Sequence, residues 1–210
     1  MSPPEVVHVD TALIVAVKPA GLLSVPGRGD DRQDCLAARV QAAWPDALVV
    51  HRLDMATSGL ILFARGKAAQ RALGDAFAAR AVDKGYVAVV AGLLAPDAGT
   101  IDLPLAVDWP NRPRQHVDPV HGKPSCTRWT VLAHDGAART TRVGLSPVTG
   151  RSHQLRVHLQ AIGHPILGDA LYAPDAVRDA APRLLLHAQS LALRHPDDGR
   201  PLHFTLPPEF

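Results

Sequence analysis

Residues 47–63 read Ala47-Leu48-Val49-Val50-His51-Arg52-Leu53-Asp54-Met55-Ala56-Thr57-Ser58-Gly59-Leu60-Ile61-Leu62-Phe63. Two aliphatic runs, 47–50 and 60–63, flank a polar segment. Each has the length and composition of a buried strand. Residues 51–59 are therefore predicted as a loop held on a rigid sheet, a setting where functional residues concentrate. If the loop is extended, Arg52 and Asp54 leave the same side of the backbone and can meet. A guanidinium there keeps the carboxylate ionised, and an ionised Asp is a nucleophile. The plain alternative is that the two side chains only satisfy each other. Thr57, Ser58 and Gly59 supply hydroxyls and a permissive backbone for the turn into the second strand.

Toward the amino terminus, Val6–Asp10 and Leu13–Val17 read as a hairpin or bent strand. Residues 24–30 read as a Gly/Pro loop, and Gln33–Ala43 as a helix stopped by Trp44-Pro45-Asp46. Toward the carboxyl terminus, Lys67–Arg80 is a predicted helix with Ala69, Leu73, Ala76 and Phe77 as its apolar stripe. Lys84–Gly92 is a strand with Tyr86 near its start. Residues 93–124 are rich in Pro and basic residues. Within them Trp109, Arg112 and Arg114 have the chemistry to stack bases and bind phosphates; a proline-stiffened excursion with a half-buried Trp is the alternative. Two strands are expected at 125–133 and 139–145. Thr149-Gly150-Arg151-Ser152-His153-Gln154-Leu155-Arg156-Val157-His158 leads into a helix ending near Ile162. Arg151 stands at its entrance, where backbone donors favour an anion. Asp169 could serve as a second carboxylate, but such an Asp more often ties down its own turn. A strand from Arg183 to Leu193 and a short one at Leu202–Phe204 complete the reading.

Composition narrows the function classes. The chain has 210 residues, 47% of them hydrophobic and 20% charged, an ordinary globular balance that allows one large domain or two small ones. No apolar run approaches the roughly 20 residues of a membrane span. The stretch Met1-Ser2-Pro3-Pro4-Glu5 lacks the features of a secretory leader. Cys35 and Cys126 have no ligand-like spacing and read as free thiols of a reducing cytoplasm. His153, His158 and His164 do not share a helical face, which argues against a metal site. The net charge is only +2, yet residues 111–160 hold eight Lys or Arg against two acidic residues. A phosphate-bearing partner would dock there.

The motifs carry more than local chemistry. HRLD-x-x-TSG at 51–59, the K-x-Y element at 84–86, TGRSHQLRVH with GHPILGD at 149–169, and RLLLHA at 183–188 resemble the RluA-type pseudouridine synthases. KPAGLLSVPGR at 18–28 fits as well. DWPNRP at 108–113 and SVPGR at 24–28 resemble the dual-specificity branch of that family. The resemblance implies an α+β catalytic fold: a large mixed, mostly antiparallel sheet, flanking helices and a central cleft. One domain over 1–210 is expected, without the S4 RNA-binding domain that several relatives carry. The implied activity is isomerisation of uridine to pseudouridine in structured RNA, with a tRNA anticodon-loop uridine and a 23S rRNA loop uridine as the expected targets. No cofactor or metal is implied, and a cytoplasmic monomer is expected. Asp54 would be the catalytic carboxylate. Tyr86 would stack on the target base, and Arg151 would hold Asp54 ionised. Arg52 would enter the RNA as the target flips out, an extrusion that costs a few kcal/mol. Leu185 or Leu186 would pack on the far side of the ring. Thr57, Arg156, Trp109, Arg112 and Arg114 complete the expected RNA contacts. Two rivals remain from the residues alone. One is an RNA-binding module without catalysis. The other is a hydrolase that pairs Asp54 with a second carboxylate such as Asp169.

Overall fold

The computed structural model describes residues 3–210; Met1 and Ser2, read above with the amino-terminal stretch, lie outside the described residues. The chain forms two compact units. The first runs up to Lys84 and regains Ala188–Glu209; the second is Gly85–His187 with Phe210. Both boundaries fall inside strands, so composition carries no sign of them.

The first unit opens with β1 (Glu5–Val9) and β2 (Leu13–Lys18), then α1 (Leu36–Ala43), β3 (Ala47–Val49), β4 (Ser58–Arg65) and α2 (Gly66–Ala78). β2 pairs antiparallel with both β1 and β4, and β3 also pairs with β4. Seven of the eight residues of β4 are buried, as expected of a strand covered on both faces. α2 lays Ala69 and Leu73 on Leu13, Val15, Leu60 and Leu62, with Phe77 alongside. α2 stops two residues before Arg80, because Arg80 takes the left-handed conformation at φ 59°. Ala81 N then donates to Ala76 O at 2.8 Å and Arg80 N to Phe77 O at 3.2 Å. This is the Schellman closure that glycine usually provides. α1 starts at Leu36 rather than Gln33, since Cys35 is extended and its Sγ accepts from Ala38 N.

The second unit contains β5 (Asp83–Ala91, whose first two residues belong to the first unit), β6 (Ala98–Asp102), β7 (Leu105–Val107), β8 (Gln115–Val117), β9 (Cys126–Asp135), β10 (Thr140–Pro147), α3 (Gln154–Ala161) and α4 (Asp175–Arg178). β10 pairs antiparallel with β5 and β9, and β9 with β6. β7 and β8 form a separate antiparallel ribbon. Gly99 faces Trp129 across β6 and β9. A Cβ on Gly99 would lie 2.7 Å from the indole ring, so the ring occupies the space that the glycine leaves. After α4 the chain enters β11 (Leu186–Arg194), which returns it to the first unit, and closes a hairpin with β12 (Pro201–Thr205). In the first unit β11 lies beside β4. Gly59 sits there at φ 117°, where a Cβ would meet the carbonyl oxygen of Ala188 at 2.3 Å. The segregated strands and helices make the α+β class that was expected.

Candidate active site

In the first unit, Asp54 sits on a loop clamped from both sides. Lys18, at the end of β2, is fully buried. Its Nζ donates to the carbonyls of Pro19, Leu22 and Met55 at 2.8, 2.7 and 2.9 Å. All three ammonium protons are thereby used. Gly21 N adds a bond to Met55 O at 2.9 Å. On the other side of Asp54, Ser24 Oγ donates to Leu53 O at 2.7 Å and accepts from Leu53 N at 3.1 Å. Thr57 N donates to Asp54 O and closes a turn. The residues before and after Asp54 are therefore fixed by segment 18–24, and the carboxylate is held half-buried. Burial pulls the Lys18 ammonium down to about 7, against the charge of Asp54, which holds it up.

His51 begins this loop as a structural residue. Its Nε2 accepts from Leu62 N at 2.8 Å, so Nδ1 carries the ring proton. The ring stacks on Phe77 at 4.7 Å between centroids. Burial, and secondarily the charge of Lys84, lower its pKa to about 3. Arg52 is exposed. Thr57, expected among the RNA contacts, is buried.

In the second unit, Gln154 organises the start of α3. Its Oε1 accepts from Thr149 Oγ1 and from Arg151 N, at 2.7 and 3.0 Å. Its Nε2 donates to Cys126 O and Thr127 Oγ1. All four of its hydrogen-bonding positions are filled. The backbone donor at the helix entrance is thus spent on Gln154 rather than left for an anion. The Arg151 side chain stays exposed and donates from Nε to Pro124 O at 3.3 Å. His153, left-handed at φ 55°, contacts the Tyr172 hydroxyl at 2.6 Å through Nδ1. His158 lies between Leu103 O at Nε2 and Thr127 Oγ1 at Nδ1. Bonded on both sides, it is a core histidine. Among the described residues no group of three or more His, Cys, Asp or Glu is placed to hold a metal ion.

Arg156, expected to touch RNA, is buried and pairs with Asp169 through two bonds, Nε–Oδ2 at 2.8 Å and Nη2–Oδ1 at 2.6 Å. Asp169 also accepts from Leu171 N and Tyr172 N. It ties down its turn, and a carboxylate so enclosed has no free edge for a hydrolase's acid–base work. Tyr86 is half-buried on β5, opposite Leu145. Leu186 is buried, and Leu185 is the more accessible of the pair. Trp109, Arg112 and Arg114 lie on the loop between β7 and β8, with Trp109 exposed rather than half-buried. Lys18, Ser24 and Gln154 were missed as site residues. Lys18 did leave a signal, as the one charged residue in the otherwise apolar run 13–18.

The same chain segments are those by which known enzymes are grouped. The profile of the RNA pseudouridylate synthase family matches residues 12–161, and the chain belongs to that family. It is an enzyme that isomerises uridine to pseudouridine in RNA. Among individual proteins, it is 52% identical over 205 residues to the dual-specificity RNA pseudouridine synthase RluA of Yersinia pestis, covering 98% of this chain and 99% of that one. It is 50% identical to the protein of the same name from Escherichia coli K12, covering 98% and 93%. The structure resembles human RNA pseudouridylate synthase domain containing 1 with a TM-score of 0.80 at 29% identity, covering 100% of this chain and 87% of the other. The domain containing 4 protein follows at 0.78 and 25%, covering 98% and 89%. Among the described residues no helix is long and apolar enough to cross a membrane.

Proposed function

We propose that this enzyme is a dual-specificity pseudouridine synthase that modifies a tRNA anticodon-loop uridine and a 23S rRNA loop uridine, with Asp54 as the catalytic carboxylate. The observation that carries the assignment is the clamp on the Asp54 loop. A fully buried Lys18 and Ser24 fix the carbonyls on either side of one acid, the expenditure expected where a carboxylate must be held to within a fraction of an ångström. Relatives about half identical over nearly their whole length carry the dual-specificity description.

Asp54 attacks C1′ of the ribose or C6 of the base, or assists loss of the 2′ proton. The N1–C1′ bond breaks, the base turns and C5 bonds to C1′; C5 then gives up its proton and N1 takes one up, so that the product is an isomer. Tyr86 stacks on the target base, Leu185 packs against it, Arg151 supports the ionised acid, and Arg52 fills the place of the extruded base. Arg112 and Arg114 contact the backbone. Both units serve as one catalytic domain, acting as a monomer in the cytoplasm without cofactor or metal.

The test is Asp54→Asn assayed by tritium release from C5-labelled uridine RNA. A folded variant without turnover supports the assignment, and retained turnover ends it. Mapping pseudouridine in tRNA and 23S rRNA from a deletion strain tests the dual specificity, and loss at only one of the two RNAs overturns it.

A further inference from the structure

The loop between β7 and β8 displays a tryptophan that the fold does not need. Trp109 is 67% exposed. Its ring carries the Arg112 guanidinium 3.6 Å from the centroid, which leaves the opposite face open. The loop beneath it is tied in place. Asp108 N donates to Arg114 O, Asn111 N to Asp108 O, and Arg114 N to Asn111 O, all at 3.0–3.1 Å. Asn111 Nδ2 spans both carboxylate oxygens of Asp108. The Arg114 guanidinium bonds Leu171 O, and Gln115 N donates to the Tyr172 hydroxyl. A large aromatic held outward on a rigid loop gains little for stability, and burying it against a partner costs little ordering entropy.

An open groove of about 790 Å³ runs beside this loop, lined by Trp109, Pro110, His116, Lys123, Arg151 and Ser152 among others. Its volume falls in the upper part of the roughly 300–1,000 Å³ range of ligand clefts. Lys123 and Arg151 place two cationic groups in it, matched in number by the carboxylates of Asp108 and Asp118. Of its two carboxylates, Asp108 is engaged by Asn111, and Asp118 accepts from Val120 N and His121 N. The groove thus combines a flat apolar face at one margin with cationic groups for phosphate at another. That is the composition of a single-stranded nucleic-acid subsite.

We propose that Trp109 stacks on an unpaired nucleobase flanking the target uridine, and that the groove holds the intervening backbone on Lys123. The proposal rests on the pseudouridine synthase reading and deepens it. RNA whose loop keeps such a base splayed out is the preferred substrate, and an RNA that holds every flanking base in a stem is disfavoured. Arg112, stacked on one face of the indole, sets the orientation of the ring.

The test is a cycle between protein and RNA. Stem–loop substrates carry a single abasic nucleotide at each position flanking the target, and kcat/KM is read by tritium release for wild type, Trp109→Ala and Trp109→Phe. Base–aromatic stacking predicts that one abasic position lowers wild-type kcat/KM about tenfold. Trp109→Ala shows the same tenfold loss with intact RNA but no further loss at that position, the effect lying in KM rather than kcat. Trp109→Phe recovers most of it. The subsite is overturned if the two losses multiply at every position, or if Trp109→Ala lowers kcat alone. An inactive wild type would sink the parent reading instead, whereas an active wild type with independent losses sinks only this subsite.

Discussion

Lys18 Nζ lies 2.9 Å from the carbonyl of Met55, the residue that follows Asp54 in the chain. One buried cation therefore sets the position of the backbone that carries the acid. The same cation feels the acid's charge. Geometry and electrostatics at the proposed catalytic residue are tied to a side chain that no substrate touches.

Replacing Lys18 by Met should leave three carbonyls short of a donor and destabilise the first unit by about 3 kcal/mol. Activity should fall further than the folded fraction, on the order of 100-fold in kcat, because a small displacement of a reacting group is costly. Denaturation and single-turnover tritium release on the same preparation separate the two. Asp54→Asn makes the converse prediction. Without the carboxylate that holds it up, the Lys18 pKa should drop below its value of about 7, readable by NMR titration of the labelled side-chain nitrogen.

His51 predicts an acid limb in stability. Its pKa is about 3 when folded, against 6.5 for the free side chain. Between those values the unfolded chain binds a proton that the folded chain refuses, so stability falls as pH drops from 6.5 toward 3 and is fully present above 6.5. From pH 7 to pH 5 the loss should be about 2 kcal/mol. Urea titrations at the two pH values should show that loss in wild type and most of it gone from the His51→Gln difference.

Much of this arrangement was legible beforehand. β2, β4 and α2 announced themselves by long apolar runs or a helical stripe, and the strand–loop–strand reading around Asp54 required only two such runs. The segments that failed are short. β7 and β8 have three residues each, too few for any periodicity, and they lie where proline and charge dominate. The buried partner of Arg156 was hidden for a different reason. A helix seen in sequence shows which side a residue faces but not what faces it, and here a carboxylate 13 residues on takes the guanidinium inside. Lys18 was obscure because a lysine at a strand end is ordinarily solvated, and only the three converging carbonyls turn it inward.

The Arg156–Asp169 pair should contribute to stability. Arg156→Met should cost about 3–5 kcal/mol by stranding a buried carboxylate, while the double variant Arg156→Met/Asp169→Leu should regain part of the loss. Guanidinium melts would show it. RNA affinity of the folded protein should change less than twofold in both; a tenfold loss would restore Arg156 as an RNA contact.

Gly59→Ala should disrupt the approach of β4 to β11. A methyl group there would lie 2.3 Å from the Ala188 carbonyl, at a φ of 117°. Neither backbone can yield without breaking ladder bonds, so a loss of about 3 kcal/mol or more is expected. Thermal unfolding and the soluble yield both report it.

Because Ala188–Glu209 belongs to the unit that begins the chain, synthesis order and structural order disagree. A growing polypeptide whose last hairpin is still inside the ribosome has the acid-bearing loop but not the strands that finish its support. Until residues 188–209 are made, β4 lacks the neighbour that completes the unit carrying Asp54.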